Sequence, residues 1–347
     1  MSTQVETPLR FETSGGRTIY AMCLEVFPEF YGNVYLIDDG ERRILVDCGS
    51  PRESSNRNLV EAFASLETKF GYRCTLADVD CLLVTHGHMD HFGGLRFVRQ
   101  HTDAPIGVHV LDRRILSHYE ERVVVASKQL AVYLRRCGLS EGKREQLMAM
   151  YKHPKSHYRS TAVDFLLEDG ASVVAPLGAG SEDLEIGVTH VPGHCPGQVC
   201  LRVDDHLLTA DHVLGRITPH QAPESITLNM GLAHYLESLD KIAEQQGVTQ
   251  CLGGHEPPFD DLQKRVEEIK DSHDERLGQI LDYCSEPRTV ADVSRSLFDT
   301  LKGYTVLLGL EEAGAHVEYL HLRGELVAAN LAELDSEDDP VVQYVRP

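Results

Sequence analysis

The stretch VTHGHMDHFGG, residues 84–94, places three histidines and one aspartate within six consecutive positions and ends in two glycines. It follows the apolar run VDCLL, residues 79–83, which predicts a short buried strand. A single histidine usually has a structural role, but packing explains this spacing poorly. We therefore interpret four side chains of the stretch as metal ligands. They are His86, His88, Asp90 and His91.

The spacing within this stretch suggests how the side chains point. His86 and His88 are separated by one residue, so in an extended loop after a strand both rings leave from the same side and reach one ion. Gly87 between them is expected to allow a tight turn without a Cβ clash. Asp90 and His91 are expected at the start of the next helix, directed at a second ion. The pattern favours two neighbouring cations.

Three later segments share one design, in which an apolar run ends in a loop that carries a polar side chain. The loop HVPGHCPGQ offers His194, the run LLTADHV ends in Asp211, and CLGGHEPPF offers His255. A carboxylate such as Asp211 is well suited to bridging two metals. These three residues complete the predicted ligand set.

Five motifs together resemble the metallo-β-lactamase superfamily of hydrolases, over roughly residues 20–260. They are ILVDCGS, THGHMDH, PGHCPGQ, LLTADHV and GGHEPPF. The resemblance implies an α/β fold, an αββα sandwich with its site at the edge of the sheets. One metal would be held by His86, His88 and His194, the other by Asp90, His91 and His255, with Asp211 between them. Asp47 matches the first motif of the family, a position that supports the ligands from behind.

This ligand set implies a definite chemistry. Two divalent transition metal ions that share a water lower its pKa towards neutrality, and the resulting bridging hydroxide is a nucleophile. Asp90 would hold it and pass a proton to the leaving group. Zinc is the default, but iron or manganese also suits a set without thiolates. Antibiotic-hydrolysing members typically have cysteine at the position of Asp211, so the aspartate favours the glyoxalase II, lactonase, thioesterase and ribonuclease branches.

Charge guides the choice of substrate. The chain carries a formal net charge of -21, which opposes general binding to nucleic acid. Residues 113–159, which we predict to be inserted helices, are the exception, with 11 Lys and Arg against 4 Glu. A basic lid would attract a small anionic thioester or ester, of the acyl-CoA or acyl-carrier type. The alternative interpretation is that these charges line solvated helix faces.

The pattern of residues 263–347 predicts a separate subdomain of three amphipathic helices and a short strand; the alternative is a helical cap on the main core. These residues resemble the winged-helix extension of certain superfamily members, among them a mitochondrial-type endoribonuclease and fungal polyketide thioesterases. Residues 264–347 hold 9 Lys and Arg against 18 Asp and Glu, which makes a poor phosphate-binding surface. We therefore rank ester or thioester hydrolysis above RNA cleavage, and interpret the tail as a lid support or a homodimer contact. The acidic end, residues 333–347, is expected to be mobile.

The sequence thus predicts a catalytic domain over residues 1–262 and a winged-helix-like subdomain with an acidic tail over residues 263–347. The predicted activity is that of a dinuclear metallohydrolase. Alternatives are an endoribonuclease or phosphodiesterase, a glyoxalase II-like enzyme, a lactonase, or a degenerate fold that serves as a regulatory binding module. No apolar run is long enough for a membrane helix, and nine scattered cysteines indicate reduced thiols, so we expect a cytoplasmic protein.

Overall fold

The computed structural model of the chain describes residues 8–155 and 158–347. These residues divide into two compact units. Unit 1 takes its residues from Met1–Tyr119, Tyr158–Pro219 and Ser238–Arg265, and unit 2 from Glu120–His157, His220–Glu237 and Val266–Pro347. Most of the basic segment 113–159 therefore belongs to unit 2. The domain boundary placed after residue 262 stays a prediction.

Unit 1 contains two β-sheets. The strands of the first are β1 Leu9–Glu12, β2 Thr18–Phe27, β3 Phe30–Asp38, β4 Arg43–Val46, β5 Cys81–Leu83, β6 Ile106–His109 and β7 Phe165–Leu167. They lie side by side in chain order. The pairs from β1 to β4 are antiparallel, and those from β4 to β7 are parallel. Every residue of β5 and β6 is buried, as is usual for parallel strands covered on both faces.

The second sheet has five strands in the order β12-β11-β10-β9-β8. They are β8 Ser172–Ala175, β9 Glu182–His190, β10 Val199–Val203, β11 His206–Ala210 and β12 Gln250–Gly253. Only the pair β11 and β12 is parallel among them. The register of that pair shifts between Leu208 and Ala210, and Ala210 has a φ of 45°, in the left-handed region. This irregularity lies directly before Asp211.

One continuous apolar core is shared by the two sheets, with Ile37 and Leu83 from the first and Leu201 and Leu252 from the second. Replacing such a side chain with alanine typically costs about 2–5 kcal/mol. Alternate residues of β2 face away from this core and are covered by a helix. The sequence expectation of two packed sheets with helices outside, the αββα arrangement, is confirmed.

The described residues also form helices in both units. They are α1 Glu53–Phe70, α2 Met89–Phe92, α3 Leu95–Val98, α4 Arg113–Ser117, α5 Tyr119–Arg136, α6 Glu141–Lys155, α7 Leu232–Ala243, α8 Leu262–Tyr283, α9 Val290–Leu297, α10 Thr305–Leu322 and α11 Leu331–Ser336. Helix α1 packs on β2 and buries Leu59, Phe63 and Leu66. Along the part of the chain that the structure describes, no helix is long and apolar enough to span a membrane.

Unit 2 combines helices with a small antiparallel sheet of order β13-β15-β14, where β13 is Arg288–Thr289, β14 is Val327–Ala328 and β15 is Gln343–Val345. The three helices predicted for the C-terminal part correspond to α8, α9 and α10. A capping box starts α9: Asp292 N–H donates to Thr289 Oγ1, and Thr289 N–H donates to the carboxylate of Asp292.

The expectation of a mobile acidic end is wrong. Residues Gln343–Val345 form the central strand of this small sheet and pair with both neighbours. Tyr344 packs edge to face against the ring of His321. The apolar residues of VVQYV, residues 341–345, explain the difference, because strand pairing and burial outweigh the acidic residues before them.

All nine cysteines are free thiols, and eight of them are buried. Burial raises the pKa of Cys81 to about 12 and that of Cys251 to about 12. Such thiols stay protonated at neutral pH and behave as small apolar side chains. The interpretation of the cysteines as core thiols is therefore confirmed for these eight, whereas Cys23 is partly exposed.

Candidate metal centre

The seven predicted ligands lie at one edge of unit 1, although they come from four distant segments. The stretch with His86, His88, Asp90 and His91 follows β5 and enters α2, while His194 follows β9. Asp211 follows β11 and His255 follows β12. Rigid strands thus hold the position of each loop, and the loops present the polar side chains.

The ligand atoms form two groups, and within each group all of them lie within 4.8 Å of one another. Group A consists of His86, His88, His194 and Asp211, and group B consists of Asp90, His91 and His255. This division matches the one expected from the sequence. The roles of the seven residues as ligands stay predictions, whereas their convergence is a property of the structure.

Within group A, the ring of His88 lies between two others. Its Nδ1 is 3.1 Å from His86 Nε2 and 2.9 Å from His194 Nε2. The rings of His86 and His194 are buried, and that of His88 is partly exposed. Solvent can therefore approach the group from the side of His88.

In group B, His91 and His255 face each other, with 3.3 Å between their Nε2 atoms. Oδ2 of Asp90 lies 3.4 Å from His255 Nε2, and 15% of the Asp90 side chain is exposed. The expectation that Asp90 and His91 begin a helix is confirmed, since both lie in α2.

Asp211 lies between the two groups. Its Oδ2 is 3.0 Å from His255 Nε2 and 3.6 Å from His194 Nε2. Its Oδ1 is 3.4 Å from His91 Nε2 and accepts no hydrogen bond within the described residues. A buried carboxylate oxygen that lacks a donor is costly unless a cation neutralises it.

The outward nitrogens of the rings show which nitrogen faces the centre. Nδ1 of His91 donates to Asp47 Oδ2 at 2.8 Å, and Nδ1 of His255 donates to the carbonyl of Tyr31 at 2.8 Å. A neutral ring with its proton on Nδ1 points the lone pair of Nε2 inward. Two facing lone pairs repel unless a cation lies between them. The donor set therefore fits divalent metal ions.

Charges in the centre act on one another. The carboxylates of Asp211 and Asp47 raise the pKa of His91, although burial opposes the charged ring. His255 and His91 lower the pKa of Asp211, although burial opposes its charged form. Burial, reinforced by His91 and His88, lowers the pKa of His86. Protons and metal ions therefore compete for the same nitrogens.

Asp47, the predicted supporting residue, accepts three hydrogen bonds. Oδ1 accepts from Thr85 N–H, and Oδ2 accepts from Thr85 Oγ1 and from His91 Nδ1, each at 2.8 Å. With its proton given to Asp47, Thr85 Oγ1 can accept from His86 Nδ1 at 3.1 Å. One buried carboxylate thus orients a ring of each group.

Strand β3 positions the loop that carries His255. The hydroxyl of Tyr35 donates to the carbonyl of Gly253 at 2.6 Å, and Nδ2 of Asn33 donates to the carbonyls of Gly253 and Glu256 at 2.9 Å. The backbone N–H of Asn33 also donates to Gly254. The first sheet therefore fixes a ligand loop of the second.

The expectation that glycine avoids a Cβ clash at position 87 is confirmed, but the atoms that a Cβ would meet belong to another part of the chain. Gly87 does not have a positive φ. Instead, a Cβ at this position would lie 2.6 Å from Ile115 Cδ1 and 3.2 Å from the carboxyl carbon of Asp112. Glycine at this position makes room for the side chains of Ile115 and Asp112, whose approach the local sequence does not reveal.

Two residues near the centre were missed. Asp112 follows β6 and binds the backbone of two ligand loops. Phe30 starts β3, is 38% exposed, and has its ring centroid 4.6 Å from that of His255. The sequence contained a clue to Asp112, because it too is a carboxylate that follows a buried strand. Phe30 carried no such clue.

Unit 2 holds another buried cluster, formed by His273, Glu312 and His316. Nδ1 of His273 lies 2.9 Å from Nε2 of His316, whose Nδ1 donates to the carbonyl of Glu312. Arg276 donates to the Glu312 carboxylate at 2.6 Å. Burial lowers the pKa of His316 to about 3. The positive charge of Arg276 already neutralises the carboxylate, so this cluster is best described as a hydrogen-bonded network.

The family model described as the metallo-beta-lactamase superfamily matches residues 27–255. The chain is 24% identical over 297 residues to "Probable metallo-hydrolase YqjP" of Bacillus subtilis, covering 83% of this chain and 86% of that protein. It is 23% identical over 270 residues to "Beta-lactamase-like protein 2 homolog" of Caenorhabditis elegans, covering 77% of this chain and 70% of that protein.

Two solved structures share the fold. The metallo-beta-lactamase family protein TTHA1429 of Thermus thermophilus has a TM-score of 0.74 at 23% identity, covering 95% of this chain and 98% of that one. A beta-lactamase domain protein of Burkholderia ambifaria has a TM-score of 0.73 at 24% identity, covering 99% and 96%. With the family match over most of the sandwich and the convergent histidines and aspartates, the chain belongs to the metallo-beta-lactamase superfamily.

Proposed function

We propose that the protein is a dinuclear metal-dependent hydrolase that cleaves a small anionic thioester or ester. The position of Asp211 carries this proposal, because its carboxylate lies against ring nitrogens of both ligand groups. A carboxylate in that place can bridge two ions. The name of the Bacillus subtilis relative, a probable metallo-hydrolase, supports the hydrolytic part.

Two divalent ions held by groups A and B would activate a water for attack and stabilise the negative charge that develops on the substrate. Asp90 would receive the proton of that water and deliver it to the leaving group, because its carboxylate is partly exposed beside His255. Asp47 would keep His91 in the tautomer that faces the centre. Zinc remains the default ion, with iron or manganese as alternatives.

The choice of an anionic acyl substrate is supported by the charge pattern. The segment 113–159 is basic within an acidic chain, and residues 264–347 are acidic. A basic segment attracts phosphate-bearing acyl carriers, while the acidic one disfavours RNA. The cytoplasmic location and a homodimer contact through the tail remain predictions.

A panel of substrates tests this function. Purified protein is assayed on CoA thioesters, glutathione thioesters, lactones, phosphodiesters and single-stranded RNA, alongside Asp90→Ala and the exposed control Asp103→Ala. We expect thioester or ester cleavage in the parent and the control but not in Asp90→Ala. Metal analysis should find two ions per chain.

Other results would contradict the proposal in distinct ways. If no substrate separates Asp90→Ala from the parent, the catalytic role of Asp90 is wrong. Cleavage of RNA alone, with a rate that falls steeply as salt is added, would identify a ribonuclease. Less than one bound ion per chain, with none regained on reconstitution, would indicate a binding module.

A further inference from the structure

Asp112 is fully buried directly after the loop that ends β6. Its carboxylate contacts two separate loops. Oδ2 accepts a hydrogen bond from the backbone N–H of Gly87 at 2.7 Å, and Oδ1 accepts from the backbone N–H of Gly197 at 2.9 Å. The thiol of Cys195 donates to Oδ2 at 3.3 Å. Each carboxylate oxygen thus serves a different piece of chain.

These two loops carry the three histidines of group A. Gly87 lies between His86 and His88, and Gly197 follows His194 by three residues. The loops are also joined nearer the strands, where Val199 N–H donates to the carbonyl of Thr85. Asp112 makes its contacts farther from the strands, beside the proposed metal ligands.

The fit between Asp112 and the two glycines is close. A Cβ on Gly197 would lie 2.5 Å from the carboxyl carbon of Asp112, and one on Gly87 would lie 3.2 Å from it. Neither glycine has a positive φ. Gly197 therefore has no room for a side chain beside Asp112 and Gly87 has little, and the absence of a Cβ lets both amides come within hydrogen-bond distance of one carboxylate.

We propose that Asp112 is a positioning residue that fixes the separation of His86, His88 and His194 and thereby sets the affinity of the ion bound by group A. This inference rests on the proposed two-metal function. Residues that orient metal ligands from behind typically change metal affinity about 10–100-fold when replaced. The rings of group B are oriented by other acceptors, with Asp47 accepting from His91 and the carbonyl of Tyr31 accepting from His255.

The test uses Asp112→Asn, which keeps the shape of the side chain. One of its two polar atoms becomes a donor and faces a backbone N–H, so one loop loses its acceptor. Zn²⁺ affinities of both sites are measured by competition with a chromophoric chelator, and the d–d absorption spectrum is recorded after loading with Co²⁺. The control is Asp164→Asn, a partly exposed carboxylate that accepts from Ile106 N–H at the start of β6 and pairs with Arg99.

We expect one of the two Zn²⁺ equivalents to bind about 10–100-fold more weakly in Asp112→Asn, with an altered Co²⁺ spectrum. Both variants should remain folded without metal, and Asp164→Asn should keep the Zn²⁺ affinities and the Co²⁺ spectrum of the parent. Parent-like affinities with an unchanged spectrum would overturn the inference. So would an equal weakening of both equivalents, which would indicate general destabilisation.

Two further measurements keep the test decisive. If Asp112→Asn does not fold, Gly197→Ala replaces it, because its methyl group would displace the Asp112 carboxylate and should cause the same selective loss. The stoichiometry of the parent separates the two proposals. A parent that binds one ion contradicts the dinuclear function, yet the positioning role still predicts weaker binding of an ion held by group A in the variant.

Discussion

The backbone of Gly254 passes directly against the carboxylate of Asp211, so that a Cβ on Gly254 would lie 2.0 Å from Oδ1 of Asp211. The same Cβ would lie 2.9 Å from Cε1 of His91. Both neighbours are buried and held by other bonds. The glycine before His255 is therefore required by the centre itself.

Gly254→Ala should displace Asp211 from its place between the two groups. We expect the variant to lose at least one bound metal ion per chain, with hydrolysis falling accordingly, as measured by elemental analysis of the dialysed protein. Gly253→Ala is the control, because its added methyl would meet the flexible end of Leu214 at 3.1 Å. Equal metal content in the two variants would contradict this account.

Replacing Asp47 should weaken metal binding without unfolding the protein. The amide side chain in Asp47→Asn would have one acceptor oxygen for three donors, two from Thr85 and one from His91. We expect Zn²⁺ affinity to fall about 10–100-fold, as measured by chelator competition.

Asp205→Asn provides a closely matched comparison for this variant. Asp205 also accepts from a backbone N–H, a threonine hydroxyl and a histidine Nδ1, but it lies in the turn before β11. Its replacement should lower stability without lowering metal affinity. A comparable loss of affinity in both variants would show that the effect does not arise at the centre.

Phe30 is expected to contact the acyl part of the substrate, because its exposed ring lies over His255. Phe30→Ala should raise KM for long acyl chains by about tenfold, since it removes apolar surface worth roughly 1.5–3 kcal/mol when buried, and it should leave kcat nearly unchanged. The KM of Phe30→Leu should lie between those of the parent and Phe30→Ala. Loss of bound metal in Phe30→Ala would instead assign the ring a role in holding His255.

Glu311 should make the stability of the metal-free protein fall as pH rises. Burial raises the pKa of this carboxyl from 4.5 to about 7, although Lys155 opposes the shift. Between these values the folded state holds a proton that the unfolded state has released. The loss of unfolding free energy caused by ionising Glu311 is therefore absent below about pH 4.5. It reaches its full size, up to about 3 kcal/mol, above about pH 7.

The variant Glu311→Gln removes this ionisation. In urea unfolding, the free energy of unfolding at pH 8 minus that at pH 5 should be more positive in the variant than in the parent, by up to about 3 kcal/mol, because the variant is spared the loss that Glu311 causes at pH 8. The exposed Glu267→Gln is the control and should keep the pH dependence of the parent. The same change in stability between pH 5 and pH 8 in Glu311→Gln as in the parent would contradict the prediction.

The fold and the convergence of the seven proposed ligands could be predicted because their evidence is local. His86, His88, Asp90 and His91 lie within six residues, and the strands before His194, Asp211 and His255 are visible as apolar runs. The contacts of Asp112 could not be predicted from the sequence, because they join residues that are 25 and 85 positions apart. The same reason explains Gly87, whose requirement comes from Ile115 and Asp112.

The C-terminal end illustrates a different failure. Composition suggested a mobile acidic segment, but β15 completes a sheet whose other strands lie near residues 288 and 327. A strand of three residues gains its stability from partners that are distant in sequence. Charge counted along the chain could not reveal that pairing.

The distribution of the proposed ligands along the chain affects the rates of folding and unfolding. His91 and His255 are 164 positions apart; His91 lies in α2, after β5 of the first sheet, and His255 lies in the loop after β12 of the second. Ions can therefore be bound tightly only after both sheets have assembled. Saturating Zn²⁺ should therefore slow the unfolding reaction and leave the refolding rate nearly unchanged. The ions would bind late, after the two sheets have assembled. They would prolong the lifetime of the folded state and would not direct its formation.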